Sequence, residues 1–204
     1  MIKTIIFDFG DVFINLDKPA IERNLIKLGV PSISVDMLHI ASEYERGFIN
    51  TYELINYFTH KFSNIKASEF TKAWNSIILD FPERRLQFIE ALAKEKKYKL
   101  ILLSNTNSLH IQKVIQNMGI DCYNRFKNCF NKFYLSHEIH LSKPNTNIYE
   151  FVLNENNLIA NECLFIDDVE ENTEAASLLG INVWNINPNN EDIINLFTSK
   201  AELF

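Results

Sequence analysis

The sequence predicts an α/β protein, a doubly wound parallel sheet with a helical unit inserted after its first strand. Three observations carry this. Residues 3 to 9 form a short, β-branched apolar run stopped by Gly10, as a buried strand does. After Pro82, apolar runs of strand length alternate with segments of helical periodicity, which is the pattern of parallel βαβ units. Between the two, apolar residues recur only at helical spacing.

The elements follow in order. In the middle block the helical groups are Ile21, Leu25 and Leu28, then Leu54, Ile55 and Phe58, then Phe70, Trp74 and Ile77. Gly29-Val30-Pro31, Gly47 and Phe62-Ser63-Asn64 break them apart, so three or four helices are expected. The later part reads as a helix over 84–96, a strand over 99–103, a helix over 108–117 and a strand over 132–135. A helix over 145–154, a strand over 163–166, a helix over 172–179 and a strand over 181–184 complete the chain. A lone N-terminal strand is not stable, so it must join the later sheet. Residues 1–16 and 83–204 are therefore expected to form the core, and 17–82 an inserted helical cap.

Composition narrows the function classes. The chain has 204 residues, 47% hydrophobic and 23% charged, which is ordinary for a globular domain and excludes disorder. The formal net charge of -6 argues against nucleic acid, whose phosphates need a basic stripe. Lys94, Lys96, Lys97 and Lys99 read as a solvated helix end. Cys122, Cys129 and Cys163 are odd in number and lack Cys-x-x-Cys spacing, so neither disulfides nor structural zinc is expected. No apolar stretch approaches the length of a membrane span or a signal-peptide core. The expectation is a cytoplasmic monomer with no membrane and no nucleic-acid partner.

Chemistry gathers at the strand ends. In open parallel sheets, ligands bind outside the carboxyl ends of the strands. The first strand runs into Asp8-Phe9-Gly10-Asp11, the second into Ser104-Asn105, and the fourth into Asp167-Asp168; Lys143-Pro144 follows the third. Two carboxylates about 4 Å apart repel by roughly 4 kcal/mol at an effective dielectric of about 20. Asp8, Asp167 and Asp168 could not all stay ionised side by side without a cation. An oxygen-only site that also meets phosphate suits magnesium, Mg2+.

These four segments, in this order, resemble the four motifs of the haloacid-dehalogenase-like hydrolases, and the resemblance covers nearly the whole chain. It implies a Rossmann-like core, and the helical insertion lies where that superfamily places one type of cap. The chain is most similar to small bacterial capped phosphatases that read Phe-Asp-Phe-Gly-Asn-Val, Leu-Ser-Asn-Thr-Asn, Lys-Pro and Asp-Asp, some of which act on α-glucose-1-phosphate. Glu45-Arg46-Gly47-Phe48-Ile49 resembles a cap signature of that group.

The resemblance implies roles. Asp8 matches the nucleophile that forms an aspartyl-phosphate. Ser104 and Asn105 match the phosphate-binding pair, and Lys143 matches the lysine that bridges nucleophile and phosphate. Asp8, the backbone carbonyl of Gly10 and Asp168 match the metal ligands, with Asp167 a water-mediated or alternative ligand. Glu45 and Arg46 are expected to reach the substrate's organic part. Gly10 departs from the pattern, because most of these phosphatases carry there the Asp that protonates the leaving group. Asp11 reads as a turn residue, Asn107 as a helix cap, Asn172 as a support for the metal's waters, and His137 and His140 as solvated loop residues. Lys143, read as a surface-loop residue, is expected to be removable without harm to the fold.

The implied activity is release of phosphate from a small phosphorylated metabolite, sugar phosphates being the first to screen. Two alternatives stand beside it. A degenerate member that binds a phosphorylated ligand or a partner without turnover is supported by Gly10. A haloacid dehalogenase also lacks the Asp at that position, but those enzymes work without metal and lack the Asp167-Asp168 pair.

Overall fold

The computed structural model describes residues 1–204. Five parallel strands, β1 (Thr4–Phe7), β2 (Lys99–Ser104), β3 (Lys132–Leu135), β4 (Cys163–Asp167) and β5 (Asn182–Asn185), form one sheet in the order β3-β2-β1-β4-β5. The first strand is thus the central one, flanked by β2 and β4, and the chain reverses its direction of travel across the sheet there. Ile5, Phe7, Leu100, Leu102, Leu164 and Ile166 face one side. Ile6, Ile101, Leu103, Cys163 and Phe165 face the other. Both faces are buried, which is why these strands read as unbroken apolar runs instead of alternating.

Between β1 and β2 stand α1 (Ala20–Lys27), α2 (Val35–Glu45), α3 (Thr51–Lys61) and α4 (Ala67–Trp74). At the start of α3, the Asn50 side chain accepts from the Glu53 amide at 3.1 Å, and the Glu53 carboxylate accepts from the Asn50 amide at 2.7 Å. This reciprocal cap satisfies two otherwise orphaned amides. The four helices enclose their own core of Leu25, Leu54, Phe58, Phe70 and Trp74. A two-stranded stem joins them to the sheet. Leu16 pairs antiparallel with Ile78, and hydrogen bonds run from Asn15 to Asp80 (2.9 Å), from Leu79 to Asn15 (3.1 Å) and from Asp17 to Ile77 (2.9 Å). Buried Arg85 braces this stem. It donates to the Phe13 carbonyl at 3.3 Å and the Asn15 side chain at 3.0 Å, and pairs with Asp192 near the C-terminus.

The sheet's first face is covered by α5 (Glu83–Glu95), α6 (Ser108–Met118) and α7 (Ile120–Lys127). A one-turn helix, α8 (Ser136–Ile139), follows β3 directly. The second face is covered by α9 (Thr146–Glu155) and α10 (Glu170–Ser177), and α11 (Leu196–Ser199) closes the chain on the first face. The strands, and the helices after Pro82 for which bounds were expected, stand within two residues of those bounds. Four helices fill the inserted block, and α2 is the one with no apolar group singled out in the sequence. The helices α7, α8 and α11 fall outside the expected elements.

Phe126 of α7 is the hub beneath the loop that leaves β1. Its ring lies 5.0 to 5.1 Å from those of Phe9, Phe13, Phe81 and Phe130. Phe126→Ala should cost about 3–5 kcal/mol of stability in denaturant unfolding; a loss below about 1 kcal/mol would mean the cluster is not the packed support it looks to be.

Candidate active site

Strand register brings the site together. Phe7 stands level with Leu102 and Ile166, so Asp8, one residue further, falls level with Leu103 and Asp167. The Asp8 amide donates to the Ile166 carbonyl at 2.9 Å, which extends the β4 pairing by one step. Ser104, buried, ends β2 on the other side. Lys143, from the loop after α8, reaches in from the side.

The Lys143 ammonium is the centre. It donates to Asp8 Oδ1 at 2.6 Å, to Asp167 Oδ2 at 2.6 Å and to the Leu103 carbonyl at 3.0 Å. All three of its protons are thereby placed, and its side chain is 1% exposed. The surface-loop expectation is corrected here: Lys143 lies in a loop by sequence, but its side chain is buried. Burial opposes its charge, and the attraction of Asp167 and Asp8 outweighs that, holding it protonated well above its ordinary value. For Asp8, burial pushes the carboxyl up, to about 7; Lys143 pulls it back, and Asp167 adds to the rise. A carboxylate with this tendency to hold a proton needs more positive charge than one lysine supplies.

The two neighbouring acids of β4 differ sharply. Asp167 is fully engaged: its Oδ1 accepts from the Val169 amide at 2.9 Å and from Asn172 at 3.0 Å, and its Oδ2 accepts from Lys143 and from Asn172 at 3.1 Å. Asn172 thus hydrogen-bonds both oxygens of Asp167. Asp168 meets a residue that the sequence did not single out. Lys18, on the stem's outgoing side toward α1, hydrogen-bonds to Asp168 and lies 3.3 Å from Asp11. Asp11 adopts a left-handed backbone (φ 51°) and accepts from the Leu16 amide at 2.9 Å, as a turn residue does. A Cβ on Gly10 would lie 2.7 Å from Leu16 Cδ1, so the loop is packed around the missing side chain.

Carboxylate oxygens of Asp8, Asp167 and Asp168 all lie within 4.8 Å of one another. With Asp11 beside them, four acids face the two ammonium groups of Lys143 and Lys18. The donors are all oxygen and in excess of positive charge, so this set fits a hard divalent cation.

Asn105 clamps the lysine loop: its side chain donates to the Lys143 carbonyl at 2.9 Å and accepts from the Lys143 amide at 3.0 Å. Asn107 caps α6 as expected, accepting from the His110 amide at 3.1 Å. The Glu45-Arg46-Gly47 turn of the helical unit is pinned to the core. Ser136 donates to the Glu45 carbonyl at 2.7 Å, and the Arg46 carbonyl lies 2.8 Å from His140 Nδ1. A Cβ on Gly47 would lie 2.1 Å from the His137 carbonyl, so only glycine permits this approach. His140 is exposed in the loop, as expected, and also acts as a clamp, its ring stacked on Phe48 at 5.4 Å. The Glu45 carboxyl is pushed up by burial, with the charges of Lys143 and Arg46 pulling it back. Arg46 turns elsewhere: its guanidinium pairs with Glu43 and lies 5.0 Å from the Phe48 ring centre.

Over residues 2–180 the chain matches the haloacid dehalogenase-like hydrolase family, and it belongs to that family. The D-ribitol-5-phosphate phosphatase of Bacteroides thetaiotaomicron is 28% identical over 194 residues, 90% of this chain and 91% of that one. The solved magnesium complex of the HAD family enzyme BT-2542 from the same organism superposes with a TM-score of 0.85. It is 31% identical, over 96% of this chain and 98% of that one. The same enzyme with magnesium and inorganic phosphate gives 0.83 at 30% identity, over 97% and 100%.

Opposite stability effects should follow from the two halves of the ion pair. A carboxyl raised from 3.8 to about 7 keeps a proton in the folded state that the unfolded chain gives up, so its ionisation lowers stability as pH rises across that window. Asp8→Asn should therefore melt higher than the parent protein in chelator at pH 8, by about 1 kcal/mol, with the gain fading toward pH 4. Lys143→Ala should lose about 3–5 kcal/mol, because it strands two buried acids. A destabilised Asp8→Asn protein at pH 8 would contradict the charge excess.

Proposed function

We propose that the chain is a magnesium-dependent phosphatase that hydrolyses a small phosphorylated metabolite through an aspartyl-phosphate on Asp8. The observation that carries this is the buried Lys143 ammonium shared by Asp8 and Asp167 at the strand ends. The magnesium and phosphate bound by BT-2542, and the phosphatase activity named for the ribitol-phosphate relative, support it.

Asp8 attacks phosphorus; an Asp8 oxygen–phosphorus bond forms as the ester oxygen–phosphorus bond breaks. Water then attacks the same phosphorus, the Asp8–phosphorus bond breaks, and inorganic phosphate leaves. Lys143 holds Asp8 in place and neutralises phosphoryl oxygens as charge develops. Ser104 and the Asn105 backbone bind the remaining phosphoryl oxygens. Asp8, Asp168 and the Gly10 carbonyl are the residues to hold magnesium, because Asp167 is already engaged by Lys143, Asn172 and the Val169 amide. Magnesium held there supplies positive charge against the transferring group. Asp8→Asn should abolish magnesium-dependent phosphate release from p-nitrophenyl phosphate. Undiminished release by that variant would overturn the reading.

Gly10 has no acid to give the leaving oxygen its proton. Glu45 takes that part in this proposal: its turn is pinned to the core through Ser136 at 2.7 Å, and burial favours its protonated form. The same carboxylate then accepts the proton of the attacking water. An alkoxide needs that proton far more than p-nitrophenolate does. Glu45→Gln should therefore lower kcat/KM for an alkyl phosphate about 100-fold and leave p-nitrophenyl phosphate within about threefold. Equal losses on both substrates would reduce Glu45 to a packing role.

A further inference from the structure

A groove of about 640 Å³ runs between α1 and α2 above α6. Two of its lining residues tie it to the candidate active site. Lys18 contacts Asp168, and the Glu45 carbonyl accepts at 2.7 Å from Ser136, whose hydroxyl also accepts at 2.9 Å from the Thr106 amide just beyond Ser104-Asn105. A phosphate ester held at Asp8 must project its organic part into this space. The volume is that of a small-molecule site.

The lining is mostly apolar. Ile21, Met37, Leu38, Ala41, Trp74 and Ile77 form its walls. Several of the polar residues are already engaged. Asn107 Oδ1 accepts from the His110 amide at 3.1 Å and from Trp74 Nε1 at 3.4 Å, and its Nδ2 meets His110 Nδ1 at 3.1 Å. The other ring nitrogen of His110 lies 3.1 Å from the Trp74 carbonyl. Burial pushes His110 down to about 4, so it is a neutral, dehydrated floor residue at physiological pH. Lys18 is held by Asp168 and Asp11. Glu22 and Ser42 remain, both exposed at the rim, with Glu45 at the inner end.

A polyol or sugar would have to strip water from several hydroxyls and find few partners along these walls. A hydrocarbon body would lose nothing polar and would displace water from apolar surface. The groove also has an open outer end, where Leu38 is 59% exposed. From Leu38 to Glu45 along α2 is about 10 Å at about 1.5 Å per residue, the reach of an alkyl chain of about eight carbons.

We propose that the substrate is the phosphate monoester of an apolar alcohol, whose hydrocarbon part lies in the groove between α1 and α2. This rests on the phosphatase reading above. It departs from the sugar phosphates first expected and from the ribitol phosphate of the curated relative.

The test is kcat/KM, with magnesium present, for methyl through octyl phosphate in series, and for ribitol 5-phosphate and glucose 1-phosphate. The efficiency should climb about fourfold per added methylene until the groove is filled, and octyl phosphate should exceed ribitol 5-phosphate by at least about 100-fold. Ala41→Asp should collapse the octyl-to-methyl ratio toward one. Leu38→Glu, at the exposed end where folding tolerates the change, should shorten the chain length at which the climb stops. A flat series, or a preference for either sugar phosphate, overturns the inference and leaves the phosphatase standing. Absence of phosphate release from every ester removes the phosphatase reading, and this inference with it.

Discussion

One buried ammonium group holds the site together. Lys143 brings its charge to the place where β1 and β4 end, and spends each of its protons on a fixed acceptor. Without it, Asp8 and Asp167 would be two largely buried acids facing each other, and at least one would take up a proton. The ammonium also decides which acid is available. By saturating Asp167 together with Asn172, it leaves Asp8 and Asp168 as the pair with free oxygen capacity. Everything proposed for phosphate chemistry follows from that division of labour between adjacent carboxylates.

The remainder of the fold serves to hold that division in place. The central position of β1 puts Asp8 between β2 and β4, so groups from both neighbours converge on it without long side chains. The aromatic cluster around Phe126 supports the loop carrying Gly10 and Asp11 from below. The helical unit is attached at three places: by the stem at residues 15–17 and 77–80, by the Glu45-Arg46-Gly47 turn against α8, and by α6. At α6 the Leu109 amide donates to the Tyr44 hydroxyl at 3.1 Å, Leu109 packs into the unit's own core, and Trp74 meets Asn107 and His110. These attachments hold Glu45 and Lys18 beside the strand ends.

The legible part of the site lies where apolar strands stop. Asp8, Ser104 and the Asp167-Asp168 pair are polar residues abutting buried runs, and the order of the strands could be reasoned from their alternation with helices. Lys143 was visible only through its place beside Pro144 in a recognisable motif, and its burial was misjudged because loop position says nothing of where a long side chain ends. Lys18 gave no signal at all. It contacts Asp168, 150 residues away, and no local spacing encodes such a meeting. The same holds for His140, which pairs with a carbonyl on the helical unit, and for the short helices α7 and α8. The apolar groove could not be read either. Residues such as Ile21, Met37 and Ala41 have the spacing of ordinary core positions, and only the separation of α1 from α2 leaves their side chains lining a space.

The covalent role of Asp8 is the claim on which the chemistry stands. Rapid acid quench of the enzyme during turnover with magnesium and a phosphate ester, followed by peptide mass spectrometry, tests it directly. The account predicts a phosphoryl adduct on the peptide containing Asp8, labile to hydroxylamine and absent from Asp8→Asn protein. Turnover with no adduct on that peptide, or an adduct on another residue, would contradict it.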